Sequence, residues 1–242
     1  MEVHHHSHSE GKGLKNYLFQ FFMLFLAVFS GFLAEYFLEH IVERHREKEF
    51  IQSMVMDLKE DTTKITGVIN FNRKQTRGLD SLFKLLMKDS RNKDSIQKAY
   101  RFYYNYALNY DNVVFTDRTM TQLKNSGGLR LIRNQKVSDS IMNYDSFVKG
   151  CNEQFEVIKR NWESESNYSY TLFDLERLGP QNETPIALPN QLLSTKASDI
   201  RGYSSRLLIF TSLIRNYSGL ISTQKGNAVR LIAFLREEYN LN

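Results

Sequence analysis

Histidine disappears from this chain after residue 45. All six histidines, at positions 4, 5, 6, 8, 40 and 45, lie in the first fifth of 242 residues. Histidine is the usual proton-transfer group near neutral pH and the commonest metal ligand. Its absence from 46–242 excludes Ser-His and Cys-His nucleophile pairs and histidine-based metal centres there, leaving carboxylate or lysine chemistry. Cysteine is nearly as scarce: Cys151 is alone, so one chain can form neither a disulfide nor a thiolate cluster, and cysteine usage assigns no compartment. All three prolines, Pro180, Pro185 and Pro189, fall within "GPQNETPIALPN", which reads as a loop. Phosphate loops, nucleophile elbows, zincin motifs and kinase motifs are missing, and Gly127-Gly128 lacks both the spacing and the preceding strand that a phosphate loop needs. The net charge of +5 comes from lysines and arginines interspersed with acids, not from a basic stripe, so no nucleic-acid partner is expected.

What the chain has in abundance is one apolar run. Tyr17 to Leu38, in "KNYLFQFFMLFLAVFSGFLAEYFLEH", spans 22 residues of which only Gln20, Ser30 and Glu35 are distinctly polar. A helix rises about 1.5 Å per residue and a bilayer core of about 30 Å takes roughly 20 apolar residues. The run therefore fits a transmembrane helix, assigned to residues 14–40. It is too long for the apolar core of a cleavable signal, and Tyr36, Phe37 and Leu38 stand where a cleavage region would be. Lys12 and Lys15 before the span nearly balance Arg44, Arg46 and Lys48 after it, so positive charge does not set the orientation. A short N-terminal tail beside an uncleaved anchor usually stays in the cytoplasm. The expectation is thus a single-pass inner-membrane protein with its C-terminal domain in the periplasm. The tail, 1–13, is polar, disordered and histidine-rich; it reads equally as a native tract or an expression tag, with no physiological metal and no cofactor expected.

Beyond the span, apolar residues recur at three- and four-residue steps. Ile51, Val55, Leu58, Ile65, Ile69, Leu79, Leu82 and Leu86 predict a helix over 40–88 that continues the membrane helix. A second helix is predicted over 93–110, and a short one capped by Thr116 or Asp117 and ended by Gly127-Gly128. Asn134 caps the next, whose seam is Val137, Ile141, Tyr144, Val148, Cys151, Phe155, Ile158 and Trp162. The last helix, 196–239, repeats that seam from Ile200 to Leu235. No stretch alternates as a strand does. The fold class is all-α: a single N-terminal transmembrane helix followed by a bundle of long antiparallel helices over 41–242.

Three groups of residues are candidates for chemistry. Asp57, Glu60 and Asp61 cluster on the first long helix, but a bridged metal site needs ligands from facing helices and often Glu-x-x-His pairs; they read as a solvated face. In "YRFYYNYALNY", Tyr100, Tyr103, Ala107 and Tyr110 form an inward face, which leaves Tyr104 and Tyr106 as surface candidates for stacking on a ligand. Within the span, Gln20, Ala27, Gly31 and Glu35 fall on one stripe with Ser30 and Ala34 beside it. Ala27-x-x-x-Gly31 is a small-xxx-small pair of the kind that lets membrane helices approach closely.

The span with "EHIVERHREKEFIQSMVMDLKEDT", the segment "TQLKNSGGLRLIRNQKVSDSIMNY" and the ending "LIAFLREEYN" resemble a group of uncharacterised single-pass membrane proteins of Bacteroidota. The resemblance implies an anchored helical domain and carries over no catalytic residue. The function expected is a non-enzymatic, membrane-anchored interaction or scaffold protein that engages a protein partner or its own copies. A ligand-binding, sensor-like extracytoplasmic domain acting through a partner is the alternative. An oligomeric channel lined by Gln20 and Glu35 is the remote one.

Overall fold

A computed structural model describes residues 13–88, 92–176 and 188–241. The histidine-rich tail apart from Gly13, residues 89–91, Pro180 and Pro185 lie outside these. Every regular element among the described residues is helical. The chain divides into two compact units, 1–49 and 50–242.

The first helix, α1, is uninterrupted from Leu14 to Lys88, as the periodicity on both sides of residue 40 predicts. No proline precedes Pro180, so nothing removes a backbone donor along its length. In the first unit α1 is long and apolar enough to cross a membrane, and none of its most apolar window is buried.

In the second unit, α1 is joined by α2 (Lys93–Phe102), α3 (Arg118–Asn125), α4 (Gln135–Ser169) and α5 (Ala197–Tyr239). Asn92 caps α2 through its side-chain oxygen, which accepts from the Asp94 amide at 2.9 Å. Asn134 caps α4 in the same way from the Lys136 amide, also at 2.9 Å. Gly127 ends α3 with a left-handed backbone, φ +68°, that a side chain would strain. Asn240 closes α5 at φ +48°, its N–H turned back to Arg236 and Glu237.

The expected helix over 93–110 is shorter than predicted. α2 ends at Phe102 and runs into a π turn, Tyr103–Ala107. The carbonyls that a continuing helix would use are taken from outside it. Gln75 donates to the Tyr106 and Asn109 carbonyls, and the Trp162 indole donates to Ala107 at 2.9 Å. Tyr103 and Ala107, at either end of the π turn, are both buried.

Two apolar clusters form the core. One gathers Ile51, Val55 and Leu58 of α1 with Leu123 of α3, Ile141 of α4 and Leu235 of α5. The other joins Ile65, Leu79 and Leu82 of α1 to Tyr103, Phe155 and Phe210. All ten α5 residues of the predicted seam are buried.

Candidate functional site

In the first unit, Gln20, Ala27, Ser30, Gly31, Ala34 and Glu35 are all exposed on α1, where the helical repeat brings them to one face. Beyond its chain neighbours and the helix's own backbone, no described atom lies within 4 Å of the place where a Cβ would stand on Gly31. The Ser30 hydroxyl donates within its own helix, to the Leu26 carbonyl. The large apolar side chains around the stripe are open as well, with Phe19 67% and Phe25 52% exposed.

The acidic cluster of the second unit is not a solvated face. Asp57 and Asp61 are buried, and both are engaged by the chain that enters α3. Asp57 accepts from the Arg118 guanidinium at 2.7 Å and from the Thr119 amide at 3.0 Å. Thr119 lies in the first turn of α3, where an amide has no partner within the helix. Asp117, the expected cap, makes no side-chain cap bond; Asp57 does that work from α1. Asp61 accepts from the Thr116 amide at 2.7 Å and from the Tyr144 hydroxyl at 2.8 Å, tying α1 to α4. Glu60, more exposed, pairs with Arg118 at 3.0 Å and Lys64 at 2.9 Å.

The two buried aspartates, one turn apart, shift in opposite directions. Burial pushes Asp57 up, but the hydrogen bonds from Thr119 and Arg118 outweigh it and hold the carboxyl below its ordinary range. Burial dominates at Asp61, which stays raised despite Thr116 and Tyr144.

Of the tyrosine candidates, Tyr106 is not a free platform. It stacks on Phe102 with ring centroids 5.9 Å apart, and it lies so close to Gly78 that a Cβ there would overlap its ring. Tyr100 and Tyr103 are fully buried, and Tyr110 meets Trp162 edge-on at 5.0 Å. Between α4 and α5 runs a groove of about 500 Å³, with Phe147, Leu231 and Phe234 as its apolar walls and Asn143, Asn227 and Arg230 as its polar ones.

The residues that the apolar pattern passed over are the polar members of the seams. Three-residue steps lead from Leu58 to Asp61, from Ile221 to Gln224 and from Trp162 to Glu165, and all three are buried. Gln224 donates to the Tyr144 carbonyl at 3.1 Å. Glu165 differs: neither carboxyl oxygen has a hydrogen bond of ordinary geometry. Extending the register through polar positions finds all three. Cys151 is fully buried, and burial pushes its thiol up to about 11, so it packs as a small apolar group.

No family model, curated protein or solved structure matches the chain.

Proposed function

We propose that this protein is a single-pass, membrane-anchored helical interaction module without enzymatic activity. The observation that carries the reading is the exposed apolar surface of α1 between Tyr17 and Leu38, none of whose most apolar window is buried among the described residues. Seven phenylalanines, five leucines and Val28 lie in that stretch. At about −0.3 to −0.6 kcal/mol each, their insertion is worth roughly −4 to −8 kcal/mol. Glu35 sits near the end of the run, where its penalty is smaller than the roughly +2.5 to +3.5 kcal/mol of a mid-span acid. Insertion therefore wins. The resemblance noted above agrees with an anchored layout.

The second unit we read as an antiparallel bundle, the part that meets a partner or another copy. Support comes from the order of its pairs. Along α4 and α5, Asn134 meets Glu238 at 2.7 Å, Tyr144 meets Gln224, and Tyr168 lies against Gly202, so one number rises as the other falls. Along α1 and α5, Asn72 pairs with Ser218 at 3.1 Å and Asp80 with Arg215. The stripe from Gln20 to Glu35 would be the contact within the membrane. We place the module in the inner membrane with the second unit on the periplasmic side.

Fractionation of cells and a reporter fused after Asn242 test the reading together. The protein should sediment with membranes and need detergent for release, and a periplasm-active reporter should work where a cytoplasm-only one does not. Recovery in the soluble fraction would overturn the anchor; the reverse reporter pattern would overturn the orientation.

A second reading, a ligand-binding domain acting through a partner, draws on the groove beside Arg230. Thermal-shift screening separates the two, because a specific ligand raises the melting temperature by mass action and a pure scaffold shows no such hit.

A further inference from the structure

Glu165 differs from the other buried acids and amides of the long helices. It is 1% exposed. Asp61, Asn72, Gln75 and Gln224 each make at least one hydrogen bond, whereas neither Glu165 oxygen has one of ordinary geometry, and its polar neighbour is the Tyr203 hydroxyl. Facing it from α5 is Tyr203, itself fully buried, whose hydroxyl also lacks a hydrogen bond of ordinary geometry. The walls are aromatic. Phe173 stacks on Tyr103 at 4.3 Å and meets Tyr203 edge-on at 5.5 Å. Tyr103 closes the site from the π turn, its hydroxyl joined to Ser169 at 2.7 Å.

A carboxylate in such a place loses its hydration with no ion pair in return, and burying an unpaired charge is among the most unfavourable things a fold can do. The neutral acid carries a far smaller penalty. The titratable groups around it are Tyr203 of α5 and Tyr103 of the π turn, whose hydroxyls burial pushes up, so both are neutral near pH 7. Arg206 of α5 lies over the Tyr168 ring at 4.2 Å.

We propose that Glu165 is a proton-binding site that governs closure of this end of the α4–α5 seam. With the proton bound, the last turns of α4 pack against Tyr203 and the aromatic cluster. With the proton lost, the carboxylate must reach water, and those turns separate from α5. The inference does not depend on the membrane anchor.

The direction of the pH dependence follows. Burial pushes the Glu165 carboxyl from the ordinary 4.5 up to about 7, and the Tyr203 hydroxyl opposes the shift. The fold binds the proton more tightly than the unfolded chain does. The contribution is therefore fully present below about pH 4.5, declines as pH rises, and is lost above about 7. The folding constant should drop by roughly a hundredfold across that window.

Trp162, the chain's one tryptophan, lies one turn from Glu165 on α4 and reports on this end by its fluorescence. The full chain in detergent would be unfolded with urea between pH 4.5 and 8.5, alongside Glu165→Gln. Relative to Glu165→Gln, the wild type should lose roughly a hundredfold in folding constant; parallel curves would overturn the proposal. Tyr203→Phe supplies a measurement that does not require the glutamine variant to fold. Removing the hydroxyl that opposes the shift should move the midpoint of the wild-type pH dependence upward. A purely structural loss would lower stability equally at every pH and leave that midpoint in place, which would refute the proton site.

Discussion

Asp57 and Arg118 form one ion pair, yet the two ends are not equivalent. Arg118 is 65% exposed and regains water when its partner is removed. The Thr119 amide is buried and does not. Asp57→Ala should therefore destabilise the second unit by about 1–3 kcal/mol, the penalty of a stranded buried donor, and Arg118→Ala by visibly less in the same urea titration. Because the fold depresses the Asp57 carboxyl, its contribution is present above the ordinary value of 3.8 and is lost as pH falls through the depressed one. The stability difference between wild type and Asp57→Ala should accordingly narrow in strong acid. Two glycines of α1 make a sharper residue-level test. Alanine at either position gains about 1 kcal/mol of helix propensity. At Gly67 nothing lies within 4 Å of the new Cβ, whereas at Gly78 the Cβ meets the Tyr106 ring. Gly67→Ala should raise the melting temperature. Gly78→Ala should lower it, because overpacking costs about 1–3 kcal/mol and outweighs the propensity. Sequence alone ranks these two glycines alike; the Tyr106 ring against Gly78 separates them.

The decisive features at the scale of the element are the seam of each long helix and the stripe on α1. If Ala27 and Gly31 let two spans approach, Gly31→Ile blocks the approach while keeping the span apolar enough to insert. Crosslinking between copies should fall by an amount equivalent to about 1–2 kcal/mol where polar contacts are lost too, with membrane fractionation unchanged. Phe25→Ile, a change of one apolar side chain for another, should do little. Equal yields from the two variants would make the stripe plain lipid-facing surface. The seams of α4 and α5 were legible because their apolar steps survive long stretches without interruption. The ends were less so. Where α4 reaches "ESESNYSY" the apolar count drops, but the seam does not stop; it passes to Glu165 and Ser169, both buried. Periodicity of apolar residues cannot register a position at which the core is polar.

For the whole molecule, both apolar clusters fall inside residues 50–242. That unit should fold without residues 1–49, unfold cooperatively by circular dichroism, and remain in the soluble fraction; failure to fold would mean that the segment before Phe50 is part of the core. The helices, the apolar span and the absence of histidine from the second unit were determined by the sequence itself, since helix periodicity, span length and composition are local properties of the chain. The roles of Asp57, Asp61, Tyr106 and Glu165 were not. The sequence pattern predicts a solvated Asp57 and an exposed Tyr106, because each is a polar or amphipathic residue off the apolar face of its own helix. What surrounds such a residue is supplied by elements 28 to 62 positions away: the α3 entry at Thr119 for Asp57, Gly78 for Tyr106, and Tyr203 for Glu165. A buried polar group is read from its partners or from their lack, and only the tertiary structure brings those partners within hydrogen-bonding distance or leaves the group alone in the dark of an aromatic core.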